Sequence, residues 1–277
     1  MNKFLIALIL LASSTIFACE VPEGAKLIIG CTYKCEFFYR LRLKTSAFWM
    51  GYPIKIVDMR EMGSVTEAMS KVDGILIPGG ADIDPEYYMN DVTPELQVIL
   101  KQNAHLAKLT EESKFRDPYE HALVKKYSSD ERYSKLPMLG ICRGMQMMSV
   151  AQGIPLYLDL KTEIGINNRM RMFDRVTPIQ ESLMNSLYGT RIFKGYKLHH
   201  QGIRVPYYQE HRTHYPLTKV TAYSNNDKIA ESLEYTHRPA LGVQYNPEMS
   251  FTSTTVPVLH WFLKQACEYK NSPKENQ

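Results

Sequence analysis

The sequence predicts an α/β fold built on a mostly parallel β-sheet with helices on both faces. Four short apolar runs have the character of buried parallel strands, and they lie at 26–30, 53–57, 74–78 and 138–141. Each run is separated from the next by a stretch long enough for a crossover helix, which parallel pairing requires. Strands that alternate with helical stretches indicate βαβ units, and these units set the fold class.

Two helices are expected between the third and fourth apolar runs. The segment 94–114 is a mostly polar helical stretch that packs on the same face or covers the site. Asp117, Pro118 and Glu120 supply an N-cap, a first-turn proline and an acid at the third helical position, so we expect a helix from there to about Tyr127. Later in the chain we expect strands at 219–223 and 240–244 and a final helix over 256–268.

The composition indicates a folded globular chain. The 277 residues are 44% hydrophobic and 22% charged, near the averages for globular proteins. The net charge of +4 is small and its Lys and Arg residues are spread along the chain, so we expect no nucleic-acid partner. No repeat or low-complexity linker interrupts the sequence, and we therefore expect one domain over 19–277 after a signal peptide at 1–18.

The first residues have the pattern of a secretory signal. Lys3 precedes an apolar run from Phe4 to Leu11, and small residues then lead to Ala18 and Cys19. The run is far shorter than the roughly 20 residues of a membrane-spanning helix, so we expect no membrane span. We predict export to a bacterial periplasm, the envelope or the outside of the cell. The residues before Cys19 also resemble a lipoprotein processing site, at which Cys19 would carry a lipid anchor, and this alternative stays open.

The five cysteines indicate no metal site. They form no C-x-x-C pair, and no histidine lies at a spacing suited to zinc. Cys31 and Cys35 follow the first predicted strand. In an exported protein they could form a disulfide, and ordinary buried thiols are an equal alternative.

Cys142 lies at a position suited to a nucleophile. The segment Leu139-Gly-Ile-Cys-Arg-Gly-Met-Gln146 predicts a buried strand that turns sharply into a helix, and Gly140 and Gly144 permit the close approach that such a turn needs. A thiol at the turn meets the positive end of the helix dipole and nearby backbone N–H groups, which favour the thiolate. From this local pattern, a nucleophile and a core cysteine are equal alternatives.

A second turn offers hydrogen-bond donors for the same chemistry. The run at 74–78 ends in Gly79 and Gly80, whose backbone N–H groups are unobstructed by side chains. Together with the N–H of Arg143 they could stabilise the oxyanion that develops when a thiolate attacks an amide carbonyl. By itself, Pro-Gly-Gly is usually only a turn.

Four segments occur in an order that resembles one protein family. They are Ile77-Pro-Gly-Gly-Ala-Asp-Ile-Asp-Pro85, Arg116-Asp-Pro-Tyr-Glu120, Gly140-Ile-Cys-Arg-Gly-Met-Gln146 and His199-His-Gln201. Over about 26–267 the chain resembles the γ-glutamyl hydrolase group, peptidase C26, of the class I glutamine amidotransferases. The resemblance implies a flavodoxin-like sheet, a Cys-His-Glu triad that cleaves γ-glutamyl amides through a thioester, and no metal or organic cofactor.

The resemblance also implies roles for particular residues. The nucleophile corresponds to Cys142, and the oxyanion donors correspond to the backbone of Gly80 and Arg143. Gln146 corresponds to a neighbour of the bound glutamyl group. His199 and its neighbour His200 are expected to border the site.

One triad position departs from the family pattern. The family segment reads Gly-Val-Gln-aromatic-His-Pro-Glu, whereas 242–248 reads Gly-Val-Gln-Tyr-Asn-Pro-Glu, so Glu248 is kept and Asn246 stands at the histidine position. An amide has no nitrogen that titrates near neutral pH, and Asn246 therefore cannot take a proton from Cys142. Loss of one triad member commonly lowers the rate by about 10⁴-fold or more.

Three hypotheses about function follow from this departure. In the first, the chain is a γ-glutamyl hydrolase in which His200 or His199 substitutes as the base. In the second, it keeps the pocket but has lost turnover, and it binds a γ-glutamyl compound or a protein partner while Glu248 orients Asn246. The third, a redox sensor at Cys142, needs only an exposed thiolate. The sequence identifies neither the leaving group nor the oligomeric state.

Overall fold

A central β-sheet organises the computed structural model, which describes residues 19–168, 173–189, 192–249 and 256–273. The expected signal peptide at 1–18 lies outside these residues. The strands are β1 (Leu27–Cys31), β2 (Ile54–Asp58), β3 (Gly74–Ile77), β4 (Met138–Ile141), β5 (Leu156–Tyr157), β6 (Asp174–Pro178), β7 (Phe193–Gly195), β8 (Gly202–Ile203), β9 (Thr218–Ser224), β10 (Ile229–Tyr235) and β11 (Ala240–Val243). The α-helices are α1 (Phe37–Trp49), α2 (Val65–Ser70), α3 (Pro94–Asn103), α4 (Glu111–Ser129), α5 (Arg143–Val150), α6 (Leu160–Ile164), α7 (Leu183–Tyr188), α8 (Val205–Glu210) and α9 (Val256–Asn271).

The strand order shows how the site is assembled. In the described ranges the main sheet runs β2-β1-β3-β4-β11-β10-β9-β6-β7. Its first five strands are mutually parallel, as predicted, whereas β10, β9, β6 and β7 extend it antiparallel. Strands β5 and β8 form a separate antiparallel pair. Because parallel strands end at one edge, the segments that follow β3, β4 and β11 meet there.

Helices cover both faces of the sheet, which confirms the predicted layers. On one face, α3, α4 and α5 pack through apolar side chains that include Leu100, Val124 and Met148. On the opposite face, α1 and α9 pack through side chains that include Leu43 and Phe262. Strands β3 and β4 are buried along their whole length because both of their faces are covered.

The helix expected to begin at Asp117 begins six residues earlier. Thr110 caps α4, and the Thr110 and Ser113 side chains each accept a hydrogen bond from the other residue's backbone N–H. This reciprocal cap satisfies the first turn, so Pro118 lies inside the helix, where its ring removes one backbone donor. The earlier start places Arg116 and Asp117 on helical backbone, with both side chains buried.

The antiparallel half of the sheet was only partly predicted. Strand β9 corresponds to the expected strand at 219–223, and β11, which is parallel to β4, corresponds to the one at 240–244. Strands β6 and β7 were not expected, and neither was β10. Its centre carries Glu231 and Ser232, which are polar and fully buried. Both have partners, since Glu231 accepts from the Ser224 hydroxyl at 2.6 Å and Ser232 bonds to Thr221 at 2.7 Å. Burial of paired polar groups is tolerated, and it hides the apolar pattern of a strand.

The cysteines divide into bonded and free. Disulfides join Cys31 to Cys35 and Cys19 to Cys267, and Cys142 is the free cysteine among the described residues. Of the two alternatives for Cys31 and Cys35, the structure therefore has the disulfide. The second ties the start of the described chain to α9. A sulfur in a disulfide cannot also carry a thioether-linked lipid, so the bond and the lipid anchor at Cys19 are mutually exclusive.

Candidate active site

Cys142 occupies a sharp corner between β4 and α5. Its backbone has φ 53° and ψ −108°, in a region that non-glycine residues rarely adopt. The Cys142 N–H donates to Val243 O at 2.7 Å, which anchors the corner to β11. A Cβ atom at Gly144 would overlap the carbonyl oxygen of Ile77, and one at Gly140 would lie 2.5 Å from the sulfur of Met148. The two glycines are therefore needed for the turn, as predicted.

The surroundings of the Cys142 sulfur favour the neutral thiol. Burial first, and then the negative charge of Glu248, raise the pKa of the thiol to about 12. The backbone N–H of Arg143 lowers this pKa, but by less. Gln244 Nε2 is the hydrogen-bond donor to the sulfur, at 3.8 Å. The N–H at the start of α5 therefore favours the thiolate, as expected, but burial and the charge of Glu248 outweigh it.

The Gly79-Gly80 turn lies directly beside the nucleophile. A Cβ atom built on Gly79 would be 3.5 Å from Cys142 Cβ. The Gly79 N–H is already used, because it donates to the Tyr39 hydroxyl at 2.8 Å. The Gly80 N–H has no acceptor within the described ranges, and the Arg143 N–H interacts with the sulfur. The Gly79 N–H is therefore not free to bind an oxyanion, which corrects that expectation. The oxyanion roles of Gly80 and Arg143 stay predictions.

A buried ionic network holds both donor segments in place. The Arg116 guanidinium donates from Nη1 to Gly79 O and from Nη2 to Pro78 O, each at 2.9 Å. It also donates from Nε to Glu120 Oε1 at 3.0 Å. On the other side, Arg143 forms ion pairs with Asp117 and Glu120.

Helix α4 is therefore the shared support of the site. Its residues Arg116, Asp117 and Glu120 bind the turn after β3 and the residue after the nucleophile at the same time. Burial disfavours the charge on Glu120, but the positive charges of Arg143 and Arg116 more than offset it, so that its pKa is lowered. The family motif at 116–120 thus has a physical role, which is to position backbone donors.

Asn246 and Glu248 form a polar pair next to the turn. Asn246 Nδ2 donates to Glu248 Oε1 at 2.8 Å, and the position of a Gly79 Cβ would be 3.7 Å from Asn246 Nδ2. Asn246 Oδ1 is buried and has no hydrogen-bond partner in the described part of the chain. Burial raises the pKa of Glu248 to about 7, although the hydrogen bond from Asn246 opposes this shift. The pair therefore holds a buried hydrogen-bond acceptor that is not used.

The two candidate replacement bases have both ring nitrogens occupied. His200 Nε2 lies 2.8 Å from Asp82 Oδ1, and its Nδ1 lies 3.1 Å from Asp159 Oδ1. His199 Nδ1 lies 2.7 Å from Gln201 O and its Nε2 lies 3.0 Å from Asn168 Nδ2.

These contacts do not favour either histidine as the base. A base must present a free nitrogen to the proton that it takes, and among the described residues no hydrogen bond joins either histidine to Cys142. Burial also lowers the pKa of His199 to about 3. The base role of His200 stays a prediction, and it requires His200 to release one carboxylate.

Gln146 is buried behind the nucleophile. Its Nε2 donates to Gln201 O at 3.0 Å and to Gln244 Oε1 at 3.2 Å. Gln244 in turn donates to the Cys142 sulfur. Gln146 therefore fixes the amide orientation of Gln244, and its expected contact with a bound glutamyl group stays a prediction. Within the described ranges, no group of three His, Cys, Asp or Glu side chains is arranged to hold a metal ion.

Four residues near the site were missed by sequence reasoning. Tyr39 lies on α1, whereas Asp82, Gln201 and Gln244 lie inside segments quoted above. The Gln201 side-chain amide is buried and has no partner among the described atoms. For Gln201 and Gln244 the motif position was an available signal. For Tyr39 the sequence held no such signal, because the contact between Tyr39 and Gly79 exists only in the folded chain.

Comparison with known proteins identifies the family. The family model of peptidase C26 matches residues 44–248. The glutamine amidotransferase-like protein YvdE of Lactococcus lactis is 26% identical over 209 residues, which cover 73% of this chain and 77% of that protein. Protein NtpR of Enterococcus hirae is 26% identical over 216 residues, covering 74% and 78% of the two chains.

The fold is matched by solved structures. The glutaminase domain of Trypanosoma brucei CTPS, with bound acivicin, superposes with a TM-score of 0.59 at 14% identity, covering 88% of this chain and 94% of that one. At this identity the likeness concerns the fold alone. The family match covers well over half of the chain and includes the segments around Gly79, Cys142 and Glu248. The chain therefore belongs to the peptidase C26 family and has the α/β, flavodoxin-like fold of the class I glutamine amidotransferases.

Proposed function

We propose that this chain is a cysteine-dependent hydrolase of γ-glutamyl amides whose turnover is strongly attenuated. The observation that carries the proposal is the position of Cys142 at the β4–α5 corner, with the Gly79-Gly80 turn and the backbone N–H of Arg143 beside it. A γ-glutamyl amide would place its carbonyl carbon at the sulfur and its oxygen between these two donors. Membership of peptidase C26 and the glutamine amidotransferase-like relatives support amide chemistry at this thiol.

The proposed reaction has two stages. The Cys142 thiolate attacks the γ-carbonyl carbon, a C–S bond forms, and the carbonyl electron pair moves to the oxygen, which the two N–H groups stabilise. Collapse of this intermediate breaks the C–N bond, and the amine leaves after it takes a proton from water. A second water then hydrolyses the thioester and restores the thiol.

Attenuation follows from the environment of the sulfur. With a pKa of about 12, roughly one thiol in 10⁵ is ionised at pH 7. Asn246, which we align with the family histidine, neither removes the thiol proton nor protonates the leaving amine. The remaining rate comes from the oxyanion donors and from substrate positioning, which survive loss of a triad member.

A second candidate is a binding protein that performs no turnover. It is favoured by the contacts of His199 and His200, whose ring nitrogens are all engaged by other groups. The pocket would then retain the same ligand. The Gly80 and Arg143 N–H groups would bind the ligand's carbonyl oxygen, and Asn246 Oδ1 would accept from its amide N–H.

One set of assays separates these functions. The purified chain is incubated with γ-glutamyl anilides and amides, alongside Cys142→Ala, His200→Ala and Asn246→His variants, and product release is measured. Slow turnover that Cys142→Ala abolishes and His200→Ala leaves unchanged supports the attenuated hydrolase. Turnover abolished by both changes assigns the base to His200. An unmodified chain that shows no turnover but binds the substrate, as measured by calorimetry, supports the binding protein. An unmodified chain that shows neither turnover nor binding rules out both functions.

A further inference from the structure

Helix α1 exposes five large apolar side chains, which are Phe37, Phe38, Leu41, Phe48 and Trp49. Phe37, Leu41 and Phe48 lie within about 40° of one another around the helix axis, at 100° per residue. Phe38 and Trp49 continue the same stripe. Phe48 is 77% exposed and Trp49 is 76% exposed. Their two rings contact each other edge to face, with 5.7 Å between the ring centroids.

The inner side of the same helix is already used. Tyr39, Leu43, Ser46 and Ala47 face the sheet and are buried. Leu43 and Ala47 belong to the core cluster that includes α9. The helix therefore has two apolar faces, and folding of the described chain buries one of them. Single exposed apolar residues are ordinary, whereas five on one helical stripe mark an interaction surface.

The charges around the stripe indicate what covers it. The segment 37–49 contains three cations and no acid. Arg40 and Lys44 flank one edge of the stripe, and both are exposed. Within the described ranges no salt bridge engages Lys44. Aromatic and aliphatic residues with flanking Lys and Arg are typical of helices that lie in the interface of an anionic bilayer.

The position of α1 in the fold fits the same occupant. Helix α9 packs on α1, and α9 carries Cys267, which is bonded to Cys19. Cys19 also packs against the apolar cluster of this face, so the stripe lies on the face of the sheet to which the start of the described chain is bonded. A second copy of the chain fits less well, because a twofold contact of stripe on stripe would bring Arg40 and Lys44 against their own symmetry mates.

We propose that the outer face of α1 docks onto an anionic lipid surface, with its aromatic side chains in the headgroup and acyl boundary and its cations at the phosphates. Among the described residues no helix is long and apolar enough to cross a bilayer. Docking would be reversible and would weaken as salt increases. It leaves the inner face, where Tyr39 contacts the Gly79-Gly80 turn, in place.

The test measures the fluorescence emission of Trp49 in the full chain. The chain is mixed with vesicles of phosphatidylcholine alone or of phosphatidylcholine with phosphatidylglycerol. Emission should shift to the blue only with the anionic vesicles, and lipids brominated on the acyl chains should quench it. The chain's other tryptophan, Trp261, contributes a background emission. This background is measured by itself in a Trp49→Phe variant and is subtracted. After this subtraction the remaining change in emission comes from Trp49. Insertion of residues 1–18 into the vesicles therefore does not by itself give the expected blue shift and quenching.

Variants complete the test. Phe48→Ser should weaken the Trp49 response at least about tenfold, as expected for loss of one buried aromatic ring. Lys44→Glu should weaken it about fivefold or more. The double change Val98→Ser and Ile99→Ser removes exposed apolar residues from α3 and should change nothing.

Two results would overturn the proposal. One is Trp49 emission that stays the same while the chain floats with anionic vesicles. The other is a blue shift that grows with protein concentration in the absence of vesicles, which would assign the stripe to a second copy. Thermal unfolding of each variant verifies that the fold is retained.

Discussion

Asn246 donates a hydrogen bond to Glu248 across 2.8 Å, and we propose that the two residues correspond to the histidine and the orienting carboxylate of the family's triad. The carboxylate is therefore still held, but the group that it orients has no titratable nitrogen. The unused Asn246 Oδ1 is a buried acceptor. In this proposal an amide occupies the place of the group that would carry the proton.

Restoring the imidazole should restore catalysis. In an Asn246→His variant, Glu248 can accept from the ring Nδ1–H, which leaves Nε2 to take the Cys142 proton. We expect hydrolysis of a γ-glutamyl anilide at pH 7 to rise by about 10³-fold, the usual scale of general acid–base catalysis. Asn246→Gln is the matched control and should give no increase. An equal rate in parent and Asn246→His would contradict the assignment of this position.

The reactivity of Cys142 should rise steeply with pH. The thiolate is the reactive form, and the pKa of about 12 lies above the accessible range. Alkylation by iodoacetamide should therefore increase about tenfold per pH unit from 7 to 10, without a plateau. The measurement is the rate of mass addition, and Cys142→Ala should show none. A plateau near pH 8 would mean that the sulfur is ionised far more easily than its burial implies.

Arg116 should be among the largest contributors to stability. An Arg116→Met change leaves Glu120 with one fewer cation and removes the donors to Pro78 O and Gly79 O. Breaking a buried ion pair from one side commonly lowers the free energy of unfolding by about 3–5 kcal/mol. Urea denaturation measures this loss. Lys114→Met on the same helix, where the ion pair with Glu111 is exposed, should change the value by less than about 0.5 kcal/mol.

Glu248 should make stability fall as the pH rises. Its pKa in the folded chain is about 7, raised by burial from 4.5, so between these values the folded state holds a proton that the unfolded state has lost. The contribution is fully present below pH 4.5 and is lost as the pH rises through 7, and it amounts to about 3 kcal/mol.

The prediction for Glu248 is checked by comparing the pH dependence of stability in the parent and in variants. Thermal unfolding at pH 5 and pH 8 is compared for the parent and for Glu248→Gln, whose amide does not titrate. The parent should lose more stability over this interval than the variant. Glu95→Gln, a change at an exposed glutamate of α3, should behave like the parent. Identical pH dependence in parent and Glu248→Gln would show that the carboxyl stays ionised when buried.

Cys19 should be found in a disulfide in the oxidised chain. With Cys19–Cys267 and Cys31–Cys35 both formed, Cys142 is the thiol that remains, and intact mass should show two disulfides. Under denaturing conditions without reductant, one alkylation per chain is expected, and none in Cys142→Ala. A mass increase of a diacylglyceryl group at Cys19 would instead establish the lipid anchor.

Much of the architecture could be predicted because it depends on short-range patterns. The apolar runs that became β1, β3 and β4 are buried on both faces, and such runs are continuous in sequence. The turn at Cys142 was predictable from Gly140 and Gly144, since only glycine avoids the close contacts there. Strand β10 was not, because its Glu231 is neutralised by Lys197, at 2.7 Å, from a distant segment.

The sequence by itself determined the α/β fold, the sharp turn at Cys142 and the absence of an imidazole at residue 246, because each is carried by residue identity or local spacing. Only the tertiary structure decided that the Gly79 N–H and both ring nitrogens of His200 are engaged, and that burial raises the pKa of Cys142. The physical reason is that hydrogen-bond occupancy and desolvation depend on groups far apart in the chain. Tyr39, Asp82 and Asp159 reach the site only when the sheet and its helices have formed.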